Sequence, residues 1–490
     1  MQPTPSTPAA PRAPLPAKAA AVSAVDLSCR VPVLVLFISA AKWLVIAWVF
    51  QLIASIKFHN PAFLADSAWL TYGRVHPAFT NSLIYGCCVQ AGLGVALWLL
   101  AHLGAVPLAG RGLVTIGAGL WNSGVLIGII GILAGDSTGF EYLEMPSYAA
   151  AIAFLGYLLM GLWAVVTFHQ RRERSLSAPH WFLFTAIFWF PWVYSTAYLL
   201  LVRFPVRGIT QAVIGWWFAQ NLLVVWLALV GLAALFHFVP KLLGRELSGR
   251  QLALFAYWMI ILFAGWGGIP GSAPVPAWMP TLSTIGTVLS VLAVIAVALN
   301  LGQVCGRSVT AARGNPPLGF FFFSTAAFIL AGVLRPACVL LDTTQDLHFT
   351  WFGPALVNLN LYGFFAMAMF GAVYFIAPRL LGTAFPWPRF VRAHLWLSMA
   401  GIVLIVLPLA VAGIIEKVQL GANTQPFLTI ARSALPFLRA STLGDLLLLI
   451  GHALFLANLA GLALSYYRTQ AVEAYSEMTE DLFKTAGAGS

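Results

Sequence analysis

The sequence predicts an all-α fold, a polytopic membrane bundle of twelve transmembrane helices, and three observations carry that prediction. Of the 490 residues, 60% are hydrophobic and only 8% charged, against about 45–50% and about 25% in a soluble domain. The apolar residues gather into twelve long runs, each close to the ~20 residues that cross a bilayer as a helix, whereas a transmembrane barrel would alternate in units of about ten. The basic residues, finally, are distributed unequally between alternate connections, as an inserted bundle requires.

The elements follow in chain order. Residues 1–29 hold six prolines among Ala, Ser and Thr and read as a disordered cytoplasmic tail, too poor in large apolar side chains to offset the entropy of ordering. A signal peptide is not indicated, because the first apolar run begins after this tail and is long enough to span. The runs lie at 33–54, 81–103, 112–134, 148–169, 180–202, 212–239, 250–267, 279–303, 317–341, 352–377, 393–415 and 442–466. With twelve spans both termini share one side, which receives 17 Lys and Arg against 8 on the other, Lys42 lying within the first span. That asymmetry places both termini in the cytoplasm of a bacterial-type inner membrane. Residues 30–468 therefore form one membrane domain and 469–490 a C-terminal cytoplasmic tail, read as either an amphipathic surface helix or a solvated segment.

The net charge of +11 does not imply a nucleic-acid partner, since the bases are scattered through the connections; the partner it implies is membrane lipid. The five cysteines form no C-x-x-C pair, so neither a disulfide framework nor a cluster site is legible, and they read as buried thiols.

Ionisable residues inside a membrane are costly and usually mark function. Here they are scarce. His102, His169, His180, His237 and His394 fall at cytoplasmic ends of spans and His59, His76 and His348 at outer ends or loops, where histidines act as interfacial anchors. His452 alone sits well inside a span and reads as a hydrogen-bonded core residue, because haem or copper ligation needs imidazoles converging at one depth. Lys42 reads as a snorkelling or pocket-paired lysine, or as part of a proton path. The Gly319-Phe320-Phe321-Phe322-Phe323 stretch reads as packing surface.

Four stretches resemble one another's company in a known family: Trp69-Leu-Thr-Tyr-Gly-Arg-Val-His-Pro77, Gly215-Trp-Trp-Phe-Ala-Gln-Asn221, Phe238-Val-Pro-Lys241 and Gly371-Ala-Val-Tyr-Phe-Ile-Ala-Pro-Arg379. Their order and their positions among twelve spans resemble subunit I of the haem-copper oxygen reductases, and within it the cbb-type cytochrome c oxidase. His394-Leu-Trp, Gly401-Ile-Val-Leu404 and the twelfth span extend the resemblance over most of residues 33–467.

The resemblance implies haem b and copper ligands at defined places, and this chain departs from them. The low-spin haem histidine of the second span falls on Phe79, with His76 three residues earlier beyond Pro77. The His-Val-His of the tenth span, whose two imidazoles point about 200° apart and serve two haems, falls on Leu356-Val357-Asn358. The three copper imidazoles fall on Gln220, Pro270 and Gly271, the cross-linked tyrosine on Ala264 and a glutamate near the active site on Leu334. Phe and Leu have no lone pair to offer, and carboxamides are poor ligands for haem iron or Cu(I).

The sequence therefore predicts no cofactor and no metal, a catalytically silent member of the family, and a structural or interaction role beside other oxidase or cytochrome c subunits of a respiratory assembly. Two alternatives remain: an active terminal oxidase or nitric oxide reductase subunit whose haem is held by residues such as Met367, Met369, His76 or His452, and a channel or transporter built on the vacated space, for which the lack of membrane-buried carboxylates speaks against proton pumping. Bulky Phe79, Leu334, Leu356, Phe364 and Phe320 to Phe323 are expected to close the volume that haem would fill.

Overall fold

The computed structural model describes residues 23–306, 314–340, 347, 349–422 and 424–487, the last eleven by backbone alone. Twelve helices follow the predicted runs: Ala24–His59 (α1), Tyr72–Leu103 (α2), Arg111–Ala134 (α3), Ser147–His169 (α4), Ala178–Arg203 (α5), Ile209–Leu243 (α6), Arg250–Trp266 (α7), Trp278–Cys305 (α8), Pro316–Leu340 (α9), Phe352–Leu381 (α10), Pro388–Ala422 (α11) and Leu435–Gly487 (α12). Eleven are long and apolar enough to cross a bilayer, and α7 is the short one. The protein is a multi-pass membrane bundle.

Helix ends follow local chemistry. Ser23 caps α1 by accepting from the Asp26 amide at 3.1 Å, so the helix begins at Ala24, within the stretch the sequence assigned to the tail. In α5, Ser177 and His180 form a capping box with proline in the first turn, the arrangement that satisfies two orphan amides. At the other end of the chain α12 runs on as helix to Gly487, and its residues from Arg468 to Ser476 are mostly exposed.

Small residues allow the closest helix pairs. A Cβ on Gly124 of α3 would stand 2.5 Å from the Ala153 amide nitrogen, and one on Gly156 of α4 would meet the Gly117 carbonyl oxygen at 2.6 Å. The two backbones therefore touch, as small residues permit in membrane helix pairs. α11 packs along α12, and α12 along α1.

Three helices form the centre. α2, α6 and α10 are buried along most of their apolar length, whereas every other span is buried along about half of it or less. Each of the three carries a π-helical stretch in its interior: Ser82–Cys88, Asn221–Trp226 and Leu359–Ala366. A π turn inserts an extra residue and swings the side chains that follow it out of α-helical register, and such turns concentrate at functional sites.

Aromatic side chains fill much of this centre. Phe320, Phe321 and Phe364 are fully buried; Phe321 stacks on Phe238 at 5.5 Å and Phe364 meets Phe328 at 4.8 Å. A Cβ on Gly231 of α6 would lie 2.5 Å from Phe364 Cζ of α10, so the absent side chain is what lets the ring in. Leu334 packs against the core from α9.

Candidate functional site

Each π stretch begins one to three residues after a position singled out in the sequence: Phe79 before Ser82, Gln220 before Asn221, and Asn358 before Leu359. The three positions therefore lie where the central helices change register.

Four of the six positions come together around one cavity of about 380 Å³. Gln220, Pro270, Gly271 and Leu356 all line it. Asn358, two residues after Leu356, does not; its amide donates to the Pro354 carbonyl at 2.9 Å. That opposite-face relation is what the 100° helical step requires. The expectation that Leu356 helps close the core is therefore overturned. Leu356 faces an open cavity, whose opposite wall includes Gly268 to Gly271 from the segment after α7. Gly268, in the left-handed region at φ +95°, turns the chain past Gln220, and its absent Cβ would lie 3.1 Å from that residue's own Cβ.

Phe79 behaves as expected. It is buried, with its ring edge-on to Trp48 at 5.6 Å. Trp48 in turn contacts Tyr362 and His452 at 4.9 and 4.8 Å. Aromatic rings thus occupy the ground between α1, α2, α10 and α12.

The cavity wall is largely apolar, with one guanidinium and, at an exposed position, one carboxylate, Glu141. Arg335 of α9 lines it and donates from Nη1 to Gln220 Oε1 at 3.1 Å. Gln220 Nε2 donates to the Ala264 carbonyl at 2.7 Å, which fixes the carboxamide with its oxygen toward the guanidinium. Asn221 donates to Trp217 O and Gly265 O, bracing α6 against the end of α7. Ser283, Thr284 and Thr287 add hydroxyls from α8, and among the described residues no imidazole, thiol or thioether lines the space. Besides Glu141 and Tyr142, the polar groups in the wall are guanidinium, carboxamide and hydroxyl groups, which are poor ligands for haem iron or Cu(I).

The connection between α3 and α4 closes one side. Glu141 and Tyr142 line the cavity, and Tyr142 sits at φ +66°, a backbone strain of about 1–3 kcal/mol in a residue with a Cβ. The Tyr85 hydroxyl donates to the Tyr142 carbonyl. Beneath it Glu144 is buried and accepts from Asn81 Nδ2 at 2.8 Å. Burial pushes the Glu144 carboxyl up to about 7, opposed by the Asn81 hydrogen bond.

Several polar residues stand elsewhere than the sequence suggested. His394 is not an interfacial anchor. It is fully buried, its ring lies 5.7 Å from that of His452, and each imidazole meets a tyrosine hydroxyl at 2.9 Å, Tyr374 for His394 and Tyr362 for His452. His452 is thus the hydrogen-bonded core histidine expected, but not a lone one. His76 stacks on Tyr72 at 5.3 Å and makes no ring contact with His452 among the described residues. Met367 and Met369 are buried core residues; His348 lies outside the described residues.

The scarcity of membrane carboxylates is corrected as well: Asp445 of α12 and Glu416 of α11 are buried, Glu416 accepting from the Trp351 amide at 3.1 Å. Their positions near span ends hid them. The same holds for Arg335, counted from sequence among outer bases although it falls inside the run 317–341; a base five residues within an apolar run was the available signal. Lys42, at the midpoint of α1, is exposed on the bundle surface, with its ammonium 5.2 Å from the Trp43 ring and no ion pair among the described residues.

Comparison with solved structures defines the class. The chain matches the cryo-EM structure of a heme-copper terminal oxidase dimer with a TM-score of 0.67 at 14% identity, covering 88% of this chain and 84% of that one, so it has the haem-copper oxidase fold. Residues 31–447 match the model of the family described as Cytochrome C and Quinol oxidase polypeptide I, and the chain belongs to that family. Among curated relatives, it is 23% identical over 450 residues to a cytochrome c oxidase subunit 1 homolog of Azorhizobium caulinodans, covering 87% of this chain and 81% of the relative. It is 22% identical over 422 residues to the Cbb3-type cytochrome c oxidase subunit CcoN1 of Stutzerimonas stutzeri, covering 82% and 87%.

Proposed function

We propose that this protein is a catalytically silent member of the oxidase subunit I family, acting as a structural or interaction subunit of a respiratory electron-transfer assembly. The observation that carries the reading is the composition of the cavity shared by Gln220, Pro270, Gly271 and Leu356. Arg335 stands there beside a neutral carboxamide, with no imidazole in the wall among the described residues. A fixed cation repels Fe and Cu ions, and the remaining groups offer them poor ligands.

Lys42 supports the interaction role. A mid-span charge normally faces the bundle interior or a partner group, yet this one faces outward without an ion pair among the described residues. A neighbouring membrane helix bearing a carboxylate would neutralise it, as an adjacent oxidase or cytochrome c subunit could.

Pyridine haemochrome and metal analysis of the purified protein, with oxygen uptake on the same sample, test the silent reading. Sub-stoichiometric haem and copper with no oxygen uptake are expected, and two haems per chain would refute it. Affinity purification from the native membrane should retain an oxidase or cytochrome c subunit with the wild type and lose it with Lys42→Leu. Equal retention by both would remove Lys42 from the interface.

A further inference from the structure

We infer that the cavity around Arg335 is a binding site for a small oxyanion, a carboxylate or a phosphate, held by the guanidinium of Arg335.

Arginine presents five N–H donors in a planar fork and stays charged in proteins. Here the described residues satisfy it through one acceptor, Gln220 Oε1. Since Gln220 Nε2 is committed to the Ala264 carbonyl, that carboxamide cannot turn and offer anything further. Arg335 is partly buried, and a neutral amide oxygen does not compensate its formal charge, which is normally paired where water access is reduced. No carboxylate makes an ion pair with Arg335 among the described residues. Glu141, although it lines the cavity, is exposed at its rim.

The space is of the right size and chemistry. About 380 Å³ falls at the lower end of the range of small-ligand pockets. Trp216 and Thr284, whose side chains have no hydrogen-bond partner among the described residues, also line it. Both side chains can donate to an acceptor-only ligand. A carboxylate or phosphate accepts from a guanidinium fork through two parallel bonds. Neither a cation nor an apolar ligand would use that arrangement.

The inference rests on the reading that no haem or copper occupies this cavity, and haem and metal analysis of the same preparation keeps the two failures apart. Full-length protein in neutral detergent is titrated calorimetrically with succinate and with inorganic phosphate. In parallel, native mass spectrometry after exchange into phosphatidylglycerol or phosphatidylcholine nanodiscs tests for a bound lipid phosphate. The wild type should bind one equivalent of a soluble oxyanion, or else retain one phosphatidylglycerol, and the positive arm names the source. Arg335→Gln should weaken that binding at least tenfold, and Arg335→Lys should do so less. Should Arg335→Gln fail to fold, Leu356→Trp, which intrudes on the cavity and keeps the guanidinium, must weaken binding. Wild type that binds none of the three probes, or binding unchanged in Arg335→Gln or in Leu356→Trp, overturns the proposal.

Discussion

Replacing Glu144 by glutamine should make the stability of this protein less dependent on pH, and the magnitude follows from the buried connection between α3 and α4. The carboxyl is pushed up to about 7 from an ordinary 4.5, first by burial, with the Asn81 amide at 2.8 Å opposing it. A folded-state value above the unfolded one means that ionisation costs the folded state. The penalty is absent below about pH 4.5, grows through the window from 4.5 to 7, and is complete above it, so stability falls as pH rises across that window. A difference of about 2.5 units at about 1.4 kcal/mol each sets the full penalty at roughly 3 kcal/mol. Glu144→Gln keeps an acceptor for Asn81 and cannot ionise. Thermal unfolding of wild type and variant in detergent at pH 5 and pH 8 isolates the effect, because every other titrating group is common to both. The variant should gain little at pH 5 and on the order of 3 kcal/mol at pH 8. A difference that is the same at both pH values, or a wild type that gains on the variant at pH 8, would refute the reasoning.

Two further outcomes test the packing and the topology. Gly231→Ala puts a methyl 2.5 Å from Phe364 Cζ in a fully buried contact, and such overpacking should destabilise by about 1–3 kcal/mol; an unchanged thermal transition in detergent would show that the α6–α10 contact can yield. Reporter fusions at Gly139 and Pro179, on either side of α4, should report opposite faces of the membrane, Pro179 cytoplasmic, as the 17-to-8 distribution of bases requires. The same face for both would sink that topology.

The spans were legible because bilayer thickness imposes a length and a composition that no soluble helix must meet. Even the short α7 fell within its run. The cavity was legible only in part. Gln220, Pro270, Gly271 and Leu356 are separated by up to 136 residues in the chain, and what joins them is the register of two central helices, α6 and α10, and a left-handed glycine at 268, neither of which leaves a periodic trace. A π stretch adds one residue to a turn without altering composition, so an apolar run reads identically with or without it. Phe79 was read correctly as filling because an aromatic on a central helix meets neighbours wherever the helices tilt. Leu356 was misread because a leucine pattern does not tell whether the facing wall closes. His394 was misplaced for a related reason: distance from the end of an apolar run measures depth in the membrane, not burial within the bundle.

Arg335 and the substituted positions bear on one another physically. A unit charge about 4 Å from a fixed guanidinium is repelled by about 4 kcal/mol at an effective dielectric constant near 20, roughly a thousandfold in affinity. A cavity that gained such a group could not retain Cu(I) without compensating carboxylates, and its wall supplies Glu141 only at an exposed rim. Conversely, a wall without imidazoles no longer needs a charge-free interior, so an inward-facing arginine becomes tolerable once an anion or water can reach it. The absence of imidazoles at Gln220, Pro270 and Gly271 and the presence of Arg335 are therefore mutually compatible: each lowers the cost of the other, and a wall that combines them suits an anion better than a metal cation. The π stretches beside Phe79, Gln220 and Asn358 make the backbone irregular at these places, and the cavity lies next to two of them, lined by Gln220 of α6 and Leu356 of α10.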